Sequence, residues 1–307
     1  MTAARLSVDH FTGCMLGLAT GDALGAPHEG GPIERMLWRA IGKTRNGELR
    51  WTDDTQMSLD LAGSLLANGG LDLADLARRF AAGYAWHRGY GPGAAKVLKR
   101  IRNGMDWEVA ATSVYPDGSL GNGAAMRAPV IALFYAHDFD AIRRVTAASS
   151  RITHAHPLGV EGAVLVAVAT YALLHQMQNA EVFSLLHQHC SVQGLGPRLA
   201  LAESMLGNDD AVAPARVVAK LGNGITAETS CVTALFAALR FRGSTYEEML
   251  AFLIRCRGDV DTLAAMAGAM WGAANGAGKL PRMALEQRDH IASVGEQLFR
   301  FHQSPLM

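Results

Sequence analysis

Residues 13–25 read GCMLGLATGDALG, and glycine recurs in them at every fourth position: Gly13, Gly17, Gly21 and Gly25. Glycines with this spacing lie on one face of a helix, where each costs about 1 kcal/mol relative to alanine. A second helix that approaches this face closely would offset that cost. Residues 268–276 repeat the spacing with Gly268, Gly272 and Gly276. We therefore expect two smooth helices to pack together in the centre of the fold and to bring the chain after Leu24 close to Asp261.

The rest of the chain favours an all-α fold. Of its 307 residues, 50% are hydrophobic, and the abundant Ala, Leu and Met are good helix formers. Helical periodicity recurs throughout, whereas strand alternation is scarce. Because no low-complexity tract or long linker interrupts this pattern, we expect residues 1–307 to form a single domain. The predicted helices are Asp9–Leu24, Asp54–Ala67, Leu73–His87, Ala95–Asn103, Phe139–Ser149, Pro157–Gln176, Ala180–His189, Leu199–Leu206, Pro214–Leu221, Glu228–Arg240, Tyr246–Arg255 and Asp261–Asn275.

Charge and hydropathy argue against two kinds of partner. Lys plus Arg and Asp plus Glu number 28 each, so the net charge is zero, and long nucleic acid is disfavoured as a partner because its binding rests on several phosphate contacts. The most apolar segment, residues 163–174, has twelve residues, whereas a membrane span needs roughly 20. We expect this segment to be a buried helix and expect no membrane partner.

The cysteines and the first residues suggest a cytoplasmic protein. The four cysteines include no Cys-x-x-Cys pair and no zinc-site spacing, so we expect buried thiols in a reducing cytosol. Residues 1–10 lack the basic stretch and apolar run of a signal peptide. The cysteines are Cys14, Cys190, Cys231 and Cys256.

Two adjacent carboxylates lie between two hydroxyls in the stretch Thr52-Asp53-Asp54-Thr55, at the start of a helical pattern. One interpretation is a helix cap, because Thr or Asp caps helices and acidic residues favour the positive helix end. The other is a site for a hard cation, because Mg²⁺ and Mn²⁺ prefer carboxylate and other oxygen ligands.

A second acidic motif, Gly258-Asp259-Val260-Asp261-Thr262, precedes the second glycine-rich helix. Alone it is also typical of a capped helix, with Asp261 as the cap. Two such motifs 200 residues apart are harder to dismiss, because four carboxylates brought together repel one another unless cations lie between them. If the two loops meet, a metal site is the natural explanation.

Three further features could contact a ligand. The turn Gly121-Asn122-Gly123 before Met126 could present backbone N–H groups to a phosphate, although a plain loop fits it too. His154 and His156 have no third His or Cys partner at a recognisable zinc spacing, so a contact with a ligand suits His154 better and an ordinary loop position remains open for His156. Glu29, just past the first glycine-rich helix, could carry a proton or be solvated.

Taken together, these features resemble the ADP-ribosylglycohydrolase family, which includes bacterial dinitrogenase-reductase-activating enzymes. Each motif alone is weak, but five occur in the family's order over nearly the whole chain. They are Gly21-Asp22-Ala23-Leu24-Gly25 with Glu29, Thr52-Asp53-Asp54-Thr55, Gly121-Asn122-Gly123-Ala124-Ala125-Met126-Arg127, Thr153-His154, and Gly258-Asp259-Val260-Asp261-Thr262 with its Ala/Gly-rich helix.

The resemblance implies a single compact orthogonal helical bundle around two Mg²⁺ or Mn²⁺ ions. It implies a hydrolase that removes ADP-ribose from a modified protein side chain or a small ADP-ribosyl compound, with arginine linkage slightly favoured. Catalytic roles would fall to Glu29, Asp54 and Asp261. The substrate-binding residues would be Gly121, Asn122, Gly123, Met126 and His154. The metal ligands would be Thr52, Asp53, Asp54, Asp259, Asp261 and Thr262.

The sequence departs from that family in two places. Arginine-directed members are expected to carry an acidic Asp-Val-Gly loop, whereas residues 88–94 here read RGYGPGA. Arg257 precedes Gly258 where a glycine is common. The first departure puts the leaving group in question and keeps two alternatives open, a binder of the same fold without turnover and a hydrolase of another ribosyl compound such as O-acetyl-ADP-ribose.

Enzymes of other all-α families fit less well. Terpene synthases need an acid to close their Asp-Asp-x-x-Asp motif, and Met57 stands in that place after Asp53 and Asp54. His137-Asp138 is not accompanied by the further histidine that a His-Asp phosphohydrolase needs.

Overall fold

The computed structural model describes residues 6–189, 194–207 and 212–301, and these residues form sixteen α-helices. Within the described ranges no strand occurs, and β-type pairing is limited to isolated bridges such as the one between Gly121 and Thr226. The all-α prediction is therefore confirmed. The helices are α1 (Val8–Gly25), α2 (Pro32–Ile41), α3 (Asp53–Asn68), α4 (Leu73–Gly83), α5 (Pro92–Arg102), α6 (Trp107–Thr112), α7 (Pro129–Phe134), α8 (Phe139–Ser150), α9 (Pro157–Leu174), α10 (Asn179–His189), α11 (Leu195–Gly207), α12 (Pro214–Leu221), α13 (Ala227–Arg240), α14 (Tyr246–Cys256), α15 (Val260–Asn275) and α16 (Arg288–Phe301).

The two glycine-rich helices pack together as expected. The most extensive helix–helix contact joins α1 and α15. A Cβ on Gly13 would lie 2.6 Å from the carbonyl oxygen of Gly272, and a Cβ on Gly17 would collide with that of Gly268. The glycines therefore allow an approach that no larger residue would permit. The Tyr246 hydroxyl from α14 donates to the carbonyl oxygen of Gly17 at 2.7 Å and reinforces the pair.

This packing determines where α1 ends. A Cβ on Gly25 would lie 2.5 Å from the Cα of Asp261, so the last turn of α1 rests on the first turn of α15. The segment after Leu24, including Glu29, thus lies beside the second acidic motif, as the glycine spacing predicts.

The apolar segment of residues 163–174 lies within α9, which is long and apolar enough to cross a membrane by length and composition alone. In this structure 78% of that helix is buried, and it packs against α7, α8, α13 and α15. The prediction of a buried core helix is confirmed. Cys14, Cys231 and Cys256 are buried as well, whereas Cys190 lies outside the described residues.

The helix predictions need two corrections. The sequence patterns do not predict α2, α6, α7 and α16, and with six residues each α6 and α7 are too short for a clear period. The helix predicted for Leu73–His87 is wrong at its end. It ends at Gly83, Tyr84 is extended, and a separate 3-10 turn covers Trp86–Arg88. A Cβ at Gly83 would collide with the Asp60 carboxylate.

Candidate active site

The first acidic motif begins α3. Thr52 is the N-cap, and its hydroxyl oxygen accepts the backbone N–H of Asp54 at 3.3 Å. The capping interpretation is therefore right for Thr52. Asp53 and Asp54 follow in the first turn, where the exposed N–H groups of a helix favour negative charge. Asp54 is buried and Asp53 is half-buried.

A fully buried carboxylate from α1 holds this turn in place. Asp22 accepts the backbone N–H of Thr52 at 2.9 Å, the backbone N–H of Thr55 at 3.0 Å and the hydroxyl of Thr55 at 2.6 Å. Burial raises the pKa of Asp22 to about 6 despite these hydrogen bonds. The sequence motif includes Asp22 without indicating a role for it, although an acid inside an apolar glycine helix is a signal that buried donors must surround it.

The second acidic motif begins α15. Arg257 and Gly258 both have positive φ, 59° and 77°, a conformation that glycine adopts more readily than arginine. Asp259 is the N-cap residue but its side chain makes no cap hydrogen bond. Asp261, predicted as the cap, instead lies in the first turn, where its Oδ1 accepts the N–H of Thr262 at 2.9 Å.

The two motifs meet. The Thr262 hydroxyl lies 3.4 Å from Asp54 Oδ1, so it joins loops 208 positions apart in the chain. Carboxylate oxygens of Glu29, Asp259 and Asp261 all lie within 4.8 Å of one another. We call Glu29, Asp53, Asp54, Asp259 and Asp261 the carboxylate cluster.

Burial and mutual repulsion make this cluster hard to ionise. Burial, followed by the Asp261 charge, raises the pKa of Asp259 to about 8. Burial also raises the pKa of Asp54 and Asp261, with the Asp22 charge adding for Asp54 and the Glu29 charge for Asp261. The pKa of Glu29 is raised by burial although its side chain hydrogen-bonds with Asp261. Clustered carboxylates of this kind either take up protons or need cations.

The donor set fits a hard divalent cation. Within the described part of the chain, Asp54 Oδ2 is buried and has no hydrogen-bond partner, which is costly for a carboxylate unless a ligand pairs with it. The neighbouring atoms are carboxylate and hydroxyl oxygens, the type that Mg²⁺ and Mn²⁺ prefer.

Residues 121–123, which we call the glycine loop, lie beside the cluster and line the same cavity. Asn122 Nδ2 donates to Asp259 Oδ2 at 2.5 Å and lies 3.1 Å from the Ser230 hydroxyl. A Cβ on Gly123 would lie 2.5 Å from Cε1 of His154, so glycine is needed for the loop to rest on this imidazole. Gly121 and Gly123 thus have a packing role, beside any contact that their backbone makes with a ligand.

A cavity of about 350 Å³ connects these parts. It contains most of the predicted site residues: Glu29, Asp53, Asp54, Gly121, Asn122, Gly123, Met126, His154, Asp259, Asp261 and Thr262. Thr52 does not line it, and His156 caps α9 through its Nδ1, which accepts the N–H of Leu158 at 3.1 Å. Other surface cavities are larger, up to about 610 Å³, but here carboxylates from three separate segments converge.

One wall of the cavity was not predicted as part of the site. Residues 89–94, with Tyr90 and Pro92, line it together with Tyr115 and Ile225. Arg88, just before this wall, is occupied elsewhere, since it forms an ion pair with Glu286 at 2.7 Å and lies 3.5 Å over the Trp51 ring. The segment in which the expected acidic loop is missing therefore does border the site, and no acid replaces that loop there.

Comparison with known proteins agrees with this geometry. The ADP-ribosylglycohydrolase family model matches residues 1–305. The chain is 33% identical to ADP-ribosylhydrolase ARH3 of Mus musculus, over 97% of this chain and 94% of the relative. It is 36% identical to ADP-ribosyl-[dinitrogen reductase] glycohydrolase of Rhodospirillum rubrum, over 59% of this chain and 65% of the relative. A solved structure described as an ADP-ribosylglycohydrolase-related protein complex matches with a TM-score of 0.73 and 26% identity, over 96% of this chain and 98% of that one. The resemblance seen in the five motifs is thereby confirmed, and the chain belongs to the ADP-ribosylglycohydrolase family, a family of hydrolytic enzymes.

Proposed function

We propose that this protein is a divalent-metal-dependent hydrolase that cleaves the glycosidic bond between ADP-ribose and a modified protein side chain. The observation that carries the proposal is the unpartnered buried Oδ2 of Asp54, in a cavity where the carboxylates of Glu29, Asp259 and Asp261 converge beside the glycine loop. The names of the relatives from mouse and Rhodospirillum rubrum support the substrate class.

Two Mg²⁺ or Mn²⁺ ions would be held by Asp53, Asp54, Asp259 and Asp261, with hydroxyls from Thr52 and Thr262. Thr262 already contacts Asp54, whereas Thr52 uses its oxygen to cap α3 and would have to use a second lone pair. When bound, such ions can grip vicinal hydroxyls of a ribose and make a water molecule more acidic.

The chain's own residues would position the substrate and deprotonate the attacking water. The glycine loop lines the cavity and would bind the pyrophosphate, with Met126 and His154 against the rest of the ADP-ribose. The N–H groups of Gly121 and Asn122 already donate to the Ser119 hydroxyl and the Ile225 carbonyl oxygen, so both would have to exchange or share these bonds. Glu29 would accept a proton from the water whose oxygen bonds to the anomeric carbon, and would return a proton to the departing group. Glycosidic cleavage through an oxocarbenium-like state needs this pairing of proton transfers.

The structure of the cavity bears on which chemical linkage between ADP-ribose and its target is cleaved, a point that the sequence motifs leave open. An arginine leaving group is a planar cation that pairs best with a carboxylate, yet the wall formed by residues 89–94, Tyr115 and Ile225 contains no acid. This wall favours a neutral leaving group, such as a serine hydroxyl or the acyl oxygen of O-acetyl-ADP-ribose, over the arginine linkage that the motifs slightly favour.

The test is release of free ADP-ribose from arginine-modified and serine-modified peptides, followed by mass spectrometry in Mg²⁺, Mn²⁺ or EDTA. We expect release from the serine peptide that EDTA abolishes and that Asp261→Ala lowers by at least about 100-fold, because small misplacements of reacting groups already cost that much. Asp289→Ala is the matched control, since Asp289 is an exposed acid in the first turn of another helix, and it should keep full activity.

Other outcomes separate the alternatives. Faster cleavage of the arginine peptide would favour the arginine linkage that the motifs indicate. If neither peptide nor O-acetyl-ADP-ribose is cleaved, while ADP-ribose still raises the melting temperature of the metal-loaded protein, the chain is a binder without turnover. Release that persists in EDTA would refute the metal dependence.

A further inference from the structure

A buried arginine beside the glycine loop connects that loop with Thr153 and, through Thr153, with His154. Arg127 is 1% exposed, and its guanidinium lies 4.7 Å over the Phe80 ring. It donates to the carbonyl oxygen of Gly123 at 2.6 Å and to the hydroxyl oxygen of Thr153 at 3.0 Å. Thr153 in turn lies 2.8 Å from Nδ1 of His154. None of the roles assigned above uses Arg127 or Thr153.

The chemistry of these groups fixes the direction of each hydrogen bond. A guanidinium only donates, so the Thr153 oxygen is the acceptor in the first contact. The Thr153 hydroxyl hydrogen is then free to be donated to Nδ1 of His154. In the opposite direction Thr153 would accept twice, and its own hydrogen would need a third partner although the residue is only 3% exposed. Leaving a buried donor unpaired is costly, so the Thr153 hydroxyl donates to Nδ1 of His154.

A histidine that accepts at Nδ1 carries its single proton on Nε2 when it is neutral. Burial, assisted by the positive charge of Arg127, lowers the pKa of His154 to about 3, so the ring is neutral at physiological pH. Its Nε2 edge lies against the glycine loop, since a Cβ on Gly121 or Gly123 would come within 3.0 or 2.9 Å of Nε2. His154 also lines the cavity.

We propose that Arg127 and Thr153 are positioning residues that fix His154 as the Nε2–H tautomer, so that its ring donates a hydrogen bond to an acceptor oxygen of the bound ligand. In this state His154 has no free lone pair, so it can be neither a proton acceptor in the reaction nor a zinc ligand. The class of ligand, an ADP-ribosyl compound, rests on the proposed function, but the tautomer does not.

The tautomer can be observed directly in the full-length protein. Two-bond ¹H–¹⁵N correlation spectra of the histidine side chains distinguish the two neutral tautomers from the cation, and His154→Gln identifies the signals by their loss. We expect wild-type His154 to be protonated at Nε2 and unprotonated at Nδ1 throughout the physiological pH range. A wild-type ring that is protonated at Nδ1, or that is cationic near pH 6, would overturn the proposal even if no variant folds.

Two matched variants test the hydroxyl. Thr153→Ser keeps it and Thr153→Val replaces it with a methyl group of similar size. The serine variant should keep the wild-type tautomer and bind ADP-ribose in Mg²⁺ with nearly unchanged affinity by calorimetry. The valine variant should lose the fixed tautomer and bind roughly tenfold more weakly, as expected for one impaired hydrogen bond to a ligand. A valine variant with an unchanged tautomer would contradict the role of Thr153.

The failures are distinguishable. If His154 has the expected tautomer but the protein does not bind ADP-ribose, the role of Arg127 and Thr153 stands and the proposed function is contradicted. If ADP-ribose is released in a metal-dependent reaction but His154 has the other tautomer, the proposed function stands and the role of Arg127 and Thr153 is contradicted.

Discussion

Asp22 illustrates how a single buried charge organises the site from behind. Its carboxylate lies in α1 yet accepts hydrogen bonds from Thr52 and Thr55 at the start of α3. An acceptor-only group with several donors around it is the arrangement that makes a buried charge tolerable. Through these contacts α1 determines where Asp53 and Asp54 lie, although Asp22 itself does not line the cavity.

We expect Asp22→Asn to lower both stability and metal affinity. The amide would turn one acceptor oxygen into a donor facing the Thr52 and Thr55 donors, at a cost of about 1–3 kcal/mol in the free energy of unfolding. Displacement of the α3 turn should weaken Mn²⁺ binding by roughly 10- to 100-fold, as for other residues that orient metal ligands. Urea unfolding and calorimetric Mn²⁺ titration measure the two effects.

Thr55→Val is the graded control for that prediction. It removes the hydroxyl that donates to Asp22 at 2.6 Å and keeps both backbone donors, so its effects should be in the same direction and smaller. Mn²⁺ affinity that stays at the wild-type value in Asp22→Asn would mean that Asp22 supports folding alone.

Residues whose chemistry is local in the sequence are the ones that sequence reasoning found. Asp53, Asp54, Asp259 and Asp261 were recognisable because acids and hydroxyls adjoin in the chain, and all four line the cavity. Tyr115 was not, because its place in the cavity wall depends on how segments far apart in the sequence pack together. Arg127 stood in a quoted motif, but its role follows only from its distances to Gly123 and Thr153.

At the level of helices, the spacing of the glycines predicted which helices pack together, whereas helix propensity predicted only where helices lie in the chain. The glycine repeats indicated which two helices meet, because a glycine face on a helix chiefly allows another helix to approach closely. Helix propensity located most helices but missed α6 and α7, which are short. It also missed α2, although Ile33, Met36 and Leu37 have helical spacing; these three side chains are exposed in the structure. The helix predicted at Leu73–His87 was too long, since α4 ends at Gly83. Glycine is required at that position because a Cβ there would collide with the Asp60 carboxylate, a tertiary constraint that the local sequence does not reveal.

The contact between α1 and α15 gives a prediction at the element scale. Gly17→Ala would drive a methyl group into the carbonyl group of Gly268. The atoms that the methyl group meets belong to the backbone of α15, so they cannot rotate away as a side chain could. We expect a loss of about 1–3 kcal/mol or more in the free energy of unfolding, measured by urea denaturation. Gly207→Ala is the control, because a Cβ added to this last residue of α11 would meet nothing within 4 Å.

The control should behave in the opposite sense. Alanine is the better helix former, so Gly207→Ala should leave stability unchanged or raise it by up to about 1 kcal/mol. Equal losses in the two variants would contradict the view that the glycine face, rather than helix propensity, determines the packing of α1 on α15.

At the scale of the whole molecule, the packing of α1 against the C-terminal helices brings acidic side chains from distant parts of the sequence together. α1 packs on both α15 and α16, in keeping with our proposal that residues 1–307 form one domain. The same closure brings Glu29, the start of α3 and the start of α15 to one cavity. Burial raises the pKa of these carboxyl groups, so the metal-free folded protein holds protons that the unfolded chain releases.

We expect the metal-free protein to become less stable as the pH rises from about 7 to about 8.5. Unfolded Asp and Glu ionise near pH 4, whereas the folded cluster keeps protons up to its raised pKa values, about 8 for Asp259. More protons are then bound in the folded state, so the free energy of unfolding falls with rising pH across this window. Histidines with lowered pKa values, such as His154, act in the opposite sense only below about pH 6.5.

Thermal melts in EDTA and in saturating Mg²⁺ measure this effect, and the difference between the two series isolates the cluster from every other titrating group. Cations that replace the protons should flatten the pH dependence, because the carboxylates are then ionised and paired at every pH in the window. Asp261→Asn, which removes one charge from the cluster, should melt higher than wild type in EDTA at pH 8.5 and respond less to Mg²⁺. Equal slopes in EDTA and Mg²⁺ would mean that the cluster does not bind this ion, and a melting temperature that rises with pH in EDTA would contradict the raised pKa values.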